Sequence, residues 1–495
     1  MKKGFINSYS DLALIFILVT LSLFLIIVSF YNYQHFQFTS DMFRHFTTIR
    51  NIYEGSGPYE SPDQEYIFGV HTYLIYYLIS PLLIIYKDPK ILLLINILCI
   101  TSSSYLIYTI SKKIFGILDK SNLKSLLIAI SYLFFPTIFK GYFFQPYGFQ
   151  PDTIATPLFL LMFYFFLNNR IFSFLIVSIL ILSVKEEFLL IYPALIIFIF
   201  ILNYLFDLKG IKLNRNNLIL LLFVYFICST IIVYVLFYYI NLNNSNYLPA
   251  FWYSSIFSFE LIYIFFFKFI KVLLPILPLL LIFLYLNKFE KKIFLIFGII
   301  LIATFLRLTE NIIIYGTPNG SAWGNLILAP IFFICIILII KNYFEKKVYK
   351  YYQFLIGIFL IILISTINNY LATPSIFKSV DYFINKNNNI LISETISIKK
   401  WIKKKEKLDY MILPEYLLYP FINEMGYVSI YHVDEVTKDV KKKNALISNS
   451  SYVIIFKSHK TKLVNQVHIP SSNFIKSVKS FKTKIFETKN LELYK

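Results

Sequence analysis

An all-α polytopic membrane protein carrying a small C-terminal α/β domain is the fold class this sequence predicts. Three observations predict it. Of 495 residues, 58% are hydrophobic and only 14 are glycine. Long runs of Ile, Leu, Phe and Tyr recur from residue 12 to residue 371, and about 20 consecutive apolar residues suffice to cross a bilayer core. Beyond residue 371 those runs stop, and short segments rich in β-branched and aromatic residues replace them. The expected organisation is therefore a transmembrane domain over 1–371 and a soluble α/β domain over 372–495.

The charge balance agrees with this reading. A formal charge of +20 invites a nucleic-acid reading. Much of that charge lies in short loops between apolar runs, where it orients a membrane protein, so no nucleic-acid partner is expected. Cys99, Cys228 and Cys335 each sit inside an apolar run, which implies no disulfide framework. The start, "MKKGFINSYSDLALIFILVTLSLFLIIVSFY", has a charged head and a long apolar run with no small-residue cleavage site after it. It reads as a retained first span.

Eleven spans are expected, over 12–31, 90–110, 123–139, 154–168, 171–184, 188–206, 218–240, 264–286, 292–307, 325–340 and 354–371. The run 171–206 contains Lys185, Glu186 and Glu187. As one helix it would be about 54 Å long against a core of about 30 Å, so two helices meeting at the charged trio are expected. The run "HTYLIYYLISPLLIIYK", 71–87, either crosses or lies along the surface. If it lies along the surface, seventeen basic residues fall on the N-terminal side of the membrane and nine on the other. If it crosses, the ratio inverts. The positive-inside rule selects the first arrangement, with 71–87 as a juxtamembrane helix. The N-terminus is then cytoplasmic, the tail extracytoplasmic, and the protein resides in the cytoplasmic (inner) membrane.

Within the tail, "SETISIKKWIKKKEK" reads as a basic helix, and "DYMILP", "YVSIYH" and "YVIIFK" as strands. The tail holds 21 Lys against 11 acids. This describes either an ordinary solvated surface or one that meets anionic lipid head groups or an anionic acceptor.

In the expected topology several ionisable clusters share the outer face. "TSDMFRHFTTIRN", 39–51, carries Asp41, Arg44 and His45 at helical spacing. Asp41 reads as a helix N-cap and as a general base or metal ligand. Arg44 offers the planar fork that suits phosphate. "FQPYGFQPDTIATP" brings Gln150 and Asp152, the latter either a cap or a second carboxylate able to share a divalent ion, Mg or Mn, with Asp41. Lys185, Glu186 and Glu187 are costly at membrane depth unless satisfied. Arg307 and Lys268 suit a lipid phosphate or simple snorkelling to the interface, and Glu310 ends the same span as Arg307. His71 opens the juxtamembrane segment. No P-loop, zinc-protease, nucleophile-elbow or dinucleotide motif occurs.

The arrangement resembles membrane glycosyltransferases of the C type, in which the first span leads into a large outer loop with a catalytic Asp and juxtamembrane helices. A second acid often comes from the next outer loop. Asp41, the 71–87 segment and Asp152 fit those places. The chain resembles more closely a bacterial membrane family, domain of unknown function 2079. The resemblance rests on "SDMFRHFTTIRNIYEGSGPY", "FGVHTYLIYYLISPLLIIY", "FQPD" and "KEE", in that order over roughly 35–200. The family pattern carries an Asp-Gln pair where Arg44–His45 stand, a His at Gln150 and a Glu at Asp152.

At the level of fold, the resemblance implies hexosyl or pentosyl transfer from a polyprenyl-phosphate donor to a glycan, lipid or protein acceptor of the cell envelope. Asp41 and Asp152 would be the catalytic residues, and the remaining residues named above would bind substrate. The alternative is a transporter or flippase for a lipid-linked or anionic substrate. No clear internal repeat or pair of matching broken helices supports it.

Overall fold

In the computed structural model the described residues are 2–34, 40–60, 65–69, 71–116, 121–135, 148–208, 215–242, 327–346, 387–403, 410–413, 426–429, 440–456, 471–488 and 491–495, with a few isolated positions. Helix α1 (Lys2–Gln34) leads into α2 (Ser40–Tyr53), a two-residue hairpin of β1 (Tyr59–Glu60) and β2 (Glu65–Tyr66), and the short α3 (Tyr76–Ile79). Helices α4 (Lys90–Phe115), α5 (Ser121–Leu133), α6 (Asp152–Leu167), α7 (Ile171–Val184), α8 (Phe188–Phe206), α9 (Arg215–Leu242) and α10 (Leu328–Lys346) follow.

Among the described residues, four helices are long and apolar enough to cross a membrane: Tyr9–Gln34, Lys90–Phe115, Phe188–Phe206 and Asn216–Leu242. Shorter apolar helices lie over Asn122–Leu133, Asp152–Leu167, Ile171–Val184 and Leu328–Asn342. The expected spans 264–286 and 354–371 fall outside the described residues, and 292–307 is described only at scattered positions.

A continuous core joins α4, α5, α6, α7, α8 and α10 through residues such as Ile107, Tyr132, Phe159, Phe163, Ile181 and Ile337. Polar bonds cross between helices within it, as where Ser104 Oγ donates to Ala129 O at 3.0 Å. By contrast α1 and α9 leave Phe16, Phe24, Ile27, Phe223, Phe226 and Phe237 exposed. An uncovered apolar surface of that extent suits lipid as the solvent.

Helices α1 and α4 run antiparallel. Asp11, near the start of α1, accepts from Lys112 Nζ at 2.9 Å and from the Tyr108 hydroxyl, both near the end of α4. At the opposite end Lys90 Nζ lies over the rings of Phe30 and Tyr33, 5.5 and 5.3 Å from their centroids. The end marked by Lys90 also collects α2, the start of α6, the end of α7 and the start of α8.

The segment 71–87 is not one helix. It is a turn, then α3, then a 3-10 turn over Ser80–Ile84 with Pro81 at its start. Pro81 lacks an N–H, so the helical ladder loses a donor at that point. Tyr77, Leu78, Leu82, Ile84 and Ile85 are exposed, while Tyr76, Ile79 and Leu83 are buried. The segment therefore presents an apolar outer edge and an apolar inner one, and nine helical residues are too few to cross a bilayer.

The tail forms a five-stranded mixed sheet, order β4-β3-β5-β7-β6, from β3 (Tyr410–Leu413), β4 (Gly426–Ser429), β5 (Tyr452–Phe456), β6 (Lys484–Glu487) and β7 (Leu491–Tyr494). Strands β3, β4 and β5 run parallel, and β7 returns antiparallel between β5 and β6. Alternation sorts the faces. Ile412, Val453 and Ile455 pack under α12 (Val440–Asn449) and α13 (Ser472–Phe481) through Ile447, Phe474 and Val478. Met411, Leu413, Tyr452, Ile454, Leu491 and Leu493 face the other way, with α11 (Asn387–Lys403). That second face belongs to the same buried cluster as Met42, Phe46, Tyr73, Tyr76 and Phe149. The tail thus packs against the end of the bundle that carries α2.

Candidate functional site

Helix α2 buries Met42, Phe43, His45, Phe46 and Ile49 and leaves Asp41 and Arg44 part-exposed, with 28% of each side chain accessible. Its exit is fixed by "EGSGPY". Gly55 and Gly57 take φ values of +82° and +76°, the left-handed region that suits glycine. Asn51 Nδ2 donates to Tyr59 O at 2.7 Å, tying the end of α2 to β1. The following turn carries Tyr66 and Phe68 against Tyr239 of α9, with centroids 5.4 and 5.6 Å apart. It delivers His71 and Thr72 to the end of α7.

There the chain is laced to "SVKEEF". Helix α7 stops because Lys185 is extended, with φ −165° and ψ 152°, and α8 restarts at Phe188. The backbone N–H of Ile75 donates to Ser183 O at 2.8 Å. Glu186 accepts from Thr72 N at 2.8 Å on one oxygen and from His71 Nδ1 at 2.7 Å on the other. Lys185 and Glu187, 3% and 1% accessible, pair at 2.5 Å. Burial raises the Glu186 pKa, but the charge and hydrogen bond of His71 and the charge of Lys185 outweigh it, so Glu186 titrates below the ordinary carboxylate range. The trio is thus a satisfied buried cluster and the junction of two helices.

His45 stands at the centre, with rings of Tyr73, Tyr76 and Phe149 at 5.6, 5.9 and 5.8 Å. Its Nε2 lies 3.4 Å from Gln150 Oε1, and its Nδ1 lies 2.6 Å from the Tyr76 hydroxyl. Gln150 Nε2 in turn donates to Asp41 Oδ2 at 3.3 Å. A carbonyl oxygen only accepts, so Nε2 carries the proton, Nδ1 accepts, and Tyr76 donates. The chain Tyr76–His45–Gln150–Asp41 therefore has one direction and ends on the part-exposed Asp41. Arg44 Nη1 stands 3.8 Å from the other Asp41 oxygen.

Burial, and then the charge of Arg44, push the His45 pKa down from 6.5 to about 3; the charges of His71 and Lys185 act the same way, and the Gln150 bond opposes them. His45 is thus neutral in the folded protein. The unfolded imidazole binds its proton near pH 6.5 and the folded one near 3. This group's contribution to stability is therefore complete above 6.5 and is lost as pH falls toward 3.

Asp152 is buried in the first turn of α6, after Pro151, rather than acting as the cap. The chain before it is anchored where Asn96 Nδ2 donates to Gly148 O at 2.6 Å. Thr153 Oγ1 lies 2.7 Å from both Asn96 Oδ1 and Gln150 O.

The structure thus brings Asp41, Arg44, His45 and Gln150 into one group, with His71, Lys185, Glu186 and Glu187 across the Tyr73 ring. Lys268, Arg307 and Glu310 lie outside the described residues. Tyr73, Tyr76, Phe149 and Asn96 are additional residues of the site. The i, i+3 spacing of the two tyrosines and the lone amide of Asn96 inside an apolar run were their available signals. Among the described residues, no three His, Cys, Asp or Glu side chains gather as a metal cage.

A family model described as a predicted membrane protein, DUF2079, matches residues 42–469. The chain belongs to that family. No curated protein matches it. The matched stretch takes in nearly the whole site of this DUF2079 protein, with Asp41 one residue before it. Membership and the apolar helices together make it membrane-bound. The departures at Arg44–His45 and Gln150 from the pattern that the resemblance implies meet in one hydrogen bond, His45 to Gln150.

Replacing Tyr76 by Phe leaves the buried His45 Nδ1 without the hydroxyl that donates to it. The expected loss is about 1–3 kcal/mol, read as a lower thermal midpoint in detergent. An unchanged midpoint would show that the hydroxyl does not hold His45.

Proposed function

We propose that this protein is an integral membrane glycosyltransferase of the C type, moving a sugar from a polyprenyl-phosphate carrier to an acceptor on the outer side of the cytoplasmic membrane. The observation that carries the reading is Asp41: a part-exposed carboxylate at the end of an oriented buried hydrogen-bond chain, beside an arginine, at one end of an apolar helix bundle. In this reading eleven spans place the N-terminus in the cytoplasm, and residues 372–495 form an extracytoplasmic domain over the site.

Asp41 takes the proton of the acceptor hydroxyl as that oxygen bonds to the anomeric carbon. The bond from that carbon to the phosphate oxygen breaks, and its electron pair leaves with the polyprenyl phosphate. Arg44 meets the negative charge that develops there. Arg307, Lys268 and Glu310 belong to the same proposal as further contacts to donor or acceptor. Asp152 and the Lys185–Glu187 junction position the sugar or the ion. Exclusion of water by the 71–87 segment favours transfer over hydrolysis.

A divalent cation, Mg or Mn, is part of this proposal. The protein would supply at most the carboxylates of Asp41 and Asp152, a set that suits Mg, which binds through one or two carboxylates with substrate phosphates and water. Chelation is expected to abolish transfer, and added Mg to restore it. Full activity in chelator would remove the ion from the proposal.

The test of the function is lipid extraction and glycan profiling from a deletion strain. Accumulation of a polyprenyl-linked sugar with loss of one glycan residue is expected. Unchanged lipid and glycan profiles would contradict the reading.

A further inference from the structure

His71 is placed differently from His45. Its Nδ1 lies 2.7 Å from Glu186 Oε1, and the second Glu186 oxygen is held by the backbone N–H of Thr72 at 2.8 Å. A carboxylate only accepts, so Nδ1 carries a proton and the ring's orientation is fixed. The carboxylate is 3% accessible, whereas the histidine side chain is 27% accessible. Among the described residues Nε2 has no hydrogen-bond partner, and the ring is the part-exposed half of a histidine–carboxylate dyad.

The dyad shares an aromatic neighbour with His45, a member of the hydrogen-bond chain that ends on Asp41. Tyr73 lies between the two histidines, its ring centroid 5.5 Å from that of His71 and 5.6 Å from that of His45. The charged groups around the dyad are Lys185 and Glu187 from the same junction; Arg44 acts on His45, which is neutral. His45 is buried and has a hydrogen-bond partner at each ring nitrogen. His71 instead has one nitrogen anchored by an ionised acid on a side chain that is part-exposed.

We propose that His71, oriented by Glu186, binds the phosphate of the lipid carrier as an imidazolium, with Nε2–H donating to a phosphate oxygen. This deepens the reading above by assigning the carrier phosphate a second contact besides Arg44. A charge-assisted bond of this kind is about twice as strong as a neutral one, and Glu186 offsets the cost of holding the cation there.

The experiment uses the full chain in nanodiscs and measures binding of a short-chain polyprenyl monophosphate at pH 6 and pH 8. Polyprenol and inorganic phosphate serve as separate arms. Wild type is expected to bind the monophosphate more tightly than either. His71→Gln is expected to lose about tenfold. Because the phosphate itself titrates, the difference between wild type and variant is the quantity read. Glu186→Gln, which keeps the shape of the site but removes the charge that orients the ring, is expected to weaken binding as well.

Equal binding by His71→Gln and wild type at both pH values would overturn the assignment. So would equal affinity for polyprenol, and inorganic phosphate binding as tightly as the lipid would overturn the carrier as its source. Transfer is not read in this measurement. An inactive wild type would therefore sink the glycosyltransferase reading and leave this result standing, and the reverse holds equally.

Discussion

Asp41→Asn is expected to lower transfer by about a hundred- to ten-thousand-fold, the range for removing a positioned general base. The substitution keeps size and shape. An amide oxygen still accepts from Gln150 Nε2, which lies 3.3 Å away. What disappears is the basic electron pair and the charge facing Arg44. The Asp41–Arg44 pair is part-exposed and three residues apart on one helix, so its loss costs the fold about 1 kcal/mol or less. Activity and stability should therefore separate. The variant folds and inserts with a thermal midpoint near wild type, while transfer of sugar to the acceptor falls away. A variant that unfolds, or one that transfers normally, would place Asp41 in the scaffold instead.

The second large effect is on stability. Lys185→Met leaves Glu187, 1% accessible, without the ammonium 2.5 Å away. Removing one partner of a buried pair costs about 3–5 kcal/mol, enough to abolish folding of a marginal membrane domain. Replacing both, Lys185→Met with Glu187→Leu, removes the uncompensated charge and should recover most of the loss, because well-packed apolar substitutes for buried pairs are often neutral. Unfolding in detergent measures both. If the double variant is no better than the single, the pair is held by its surroundings rather than by each other.

Much of this architecture was legible in the residues. Lys185, Glu186 and Glu187 interrupt a run too long for one span, and the chain does break there, at an extended Lys185. The strands "DYMILP", "YVSIYH" and "YVIIFK" showed themselves by composition. Strands β6 and β7 did not, because Lys484 and Glu487 at the ends of β6 and Glu492 in β7 dilute the apolar alternation of edge-side strands. The 71–87 segment read as one helix because its apolar spacing is helical. Pro81 and the backbone bond from Ile75 to Ser183 shorten it in fact.

The site was legible residue by residue but not as a network. Asp41, Arg44, His45, Gln150 and Glu186 stood out as polar groups in an apolar chain. Their pairings span more than a hundred positions: His45 with Gln150, Gln150 with Asp41, His71 with Glu186. No spacing rule encodes contacts of that range. Tyr76 stayed hidden because tyrosine is abundant here, with 40 in the chain, so its i, i+3 spacing from Tyr73 does not single out a hydroxyl buried against an imidazole.

The most direct measurement is transfer itself. Purified full-length protein in nanodiscs is supplied with total polyprenyl-linked sugars from the deletion strain. Mass spectrometry then follows the lipid carrier and the sugar on a crude envelope acceptor. The account predicts that wild type converts one lipid-linked sugar to its free polyprenyl phosphate with matching gain on the acceptor, and that Asp41→Asn does neither. No lipid-linked sugar consumed by wild type, or equal consumption by Asp41→Asn, would contradict it.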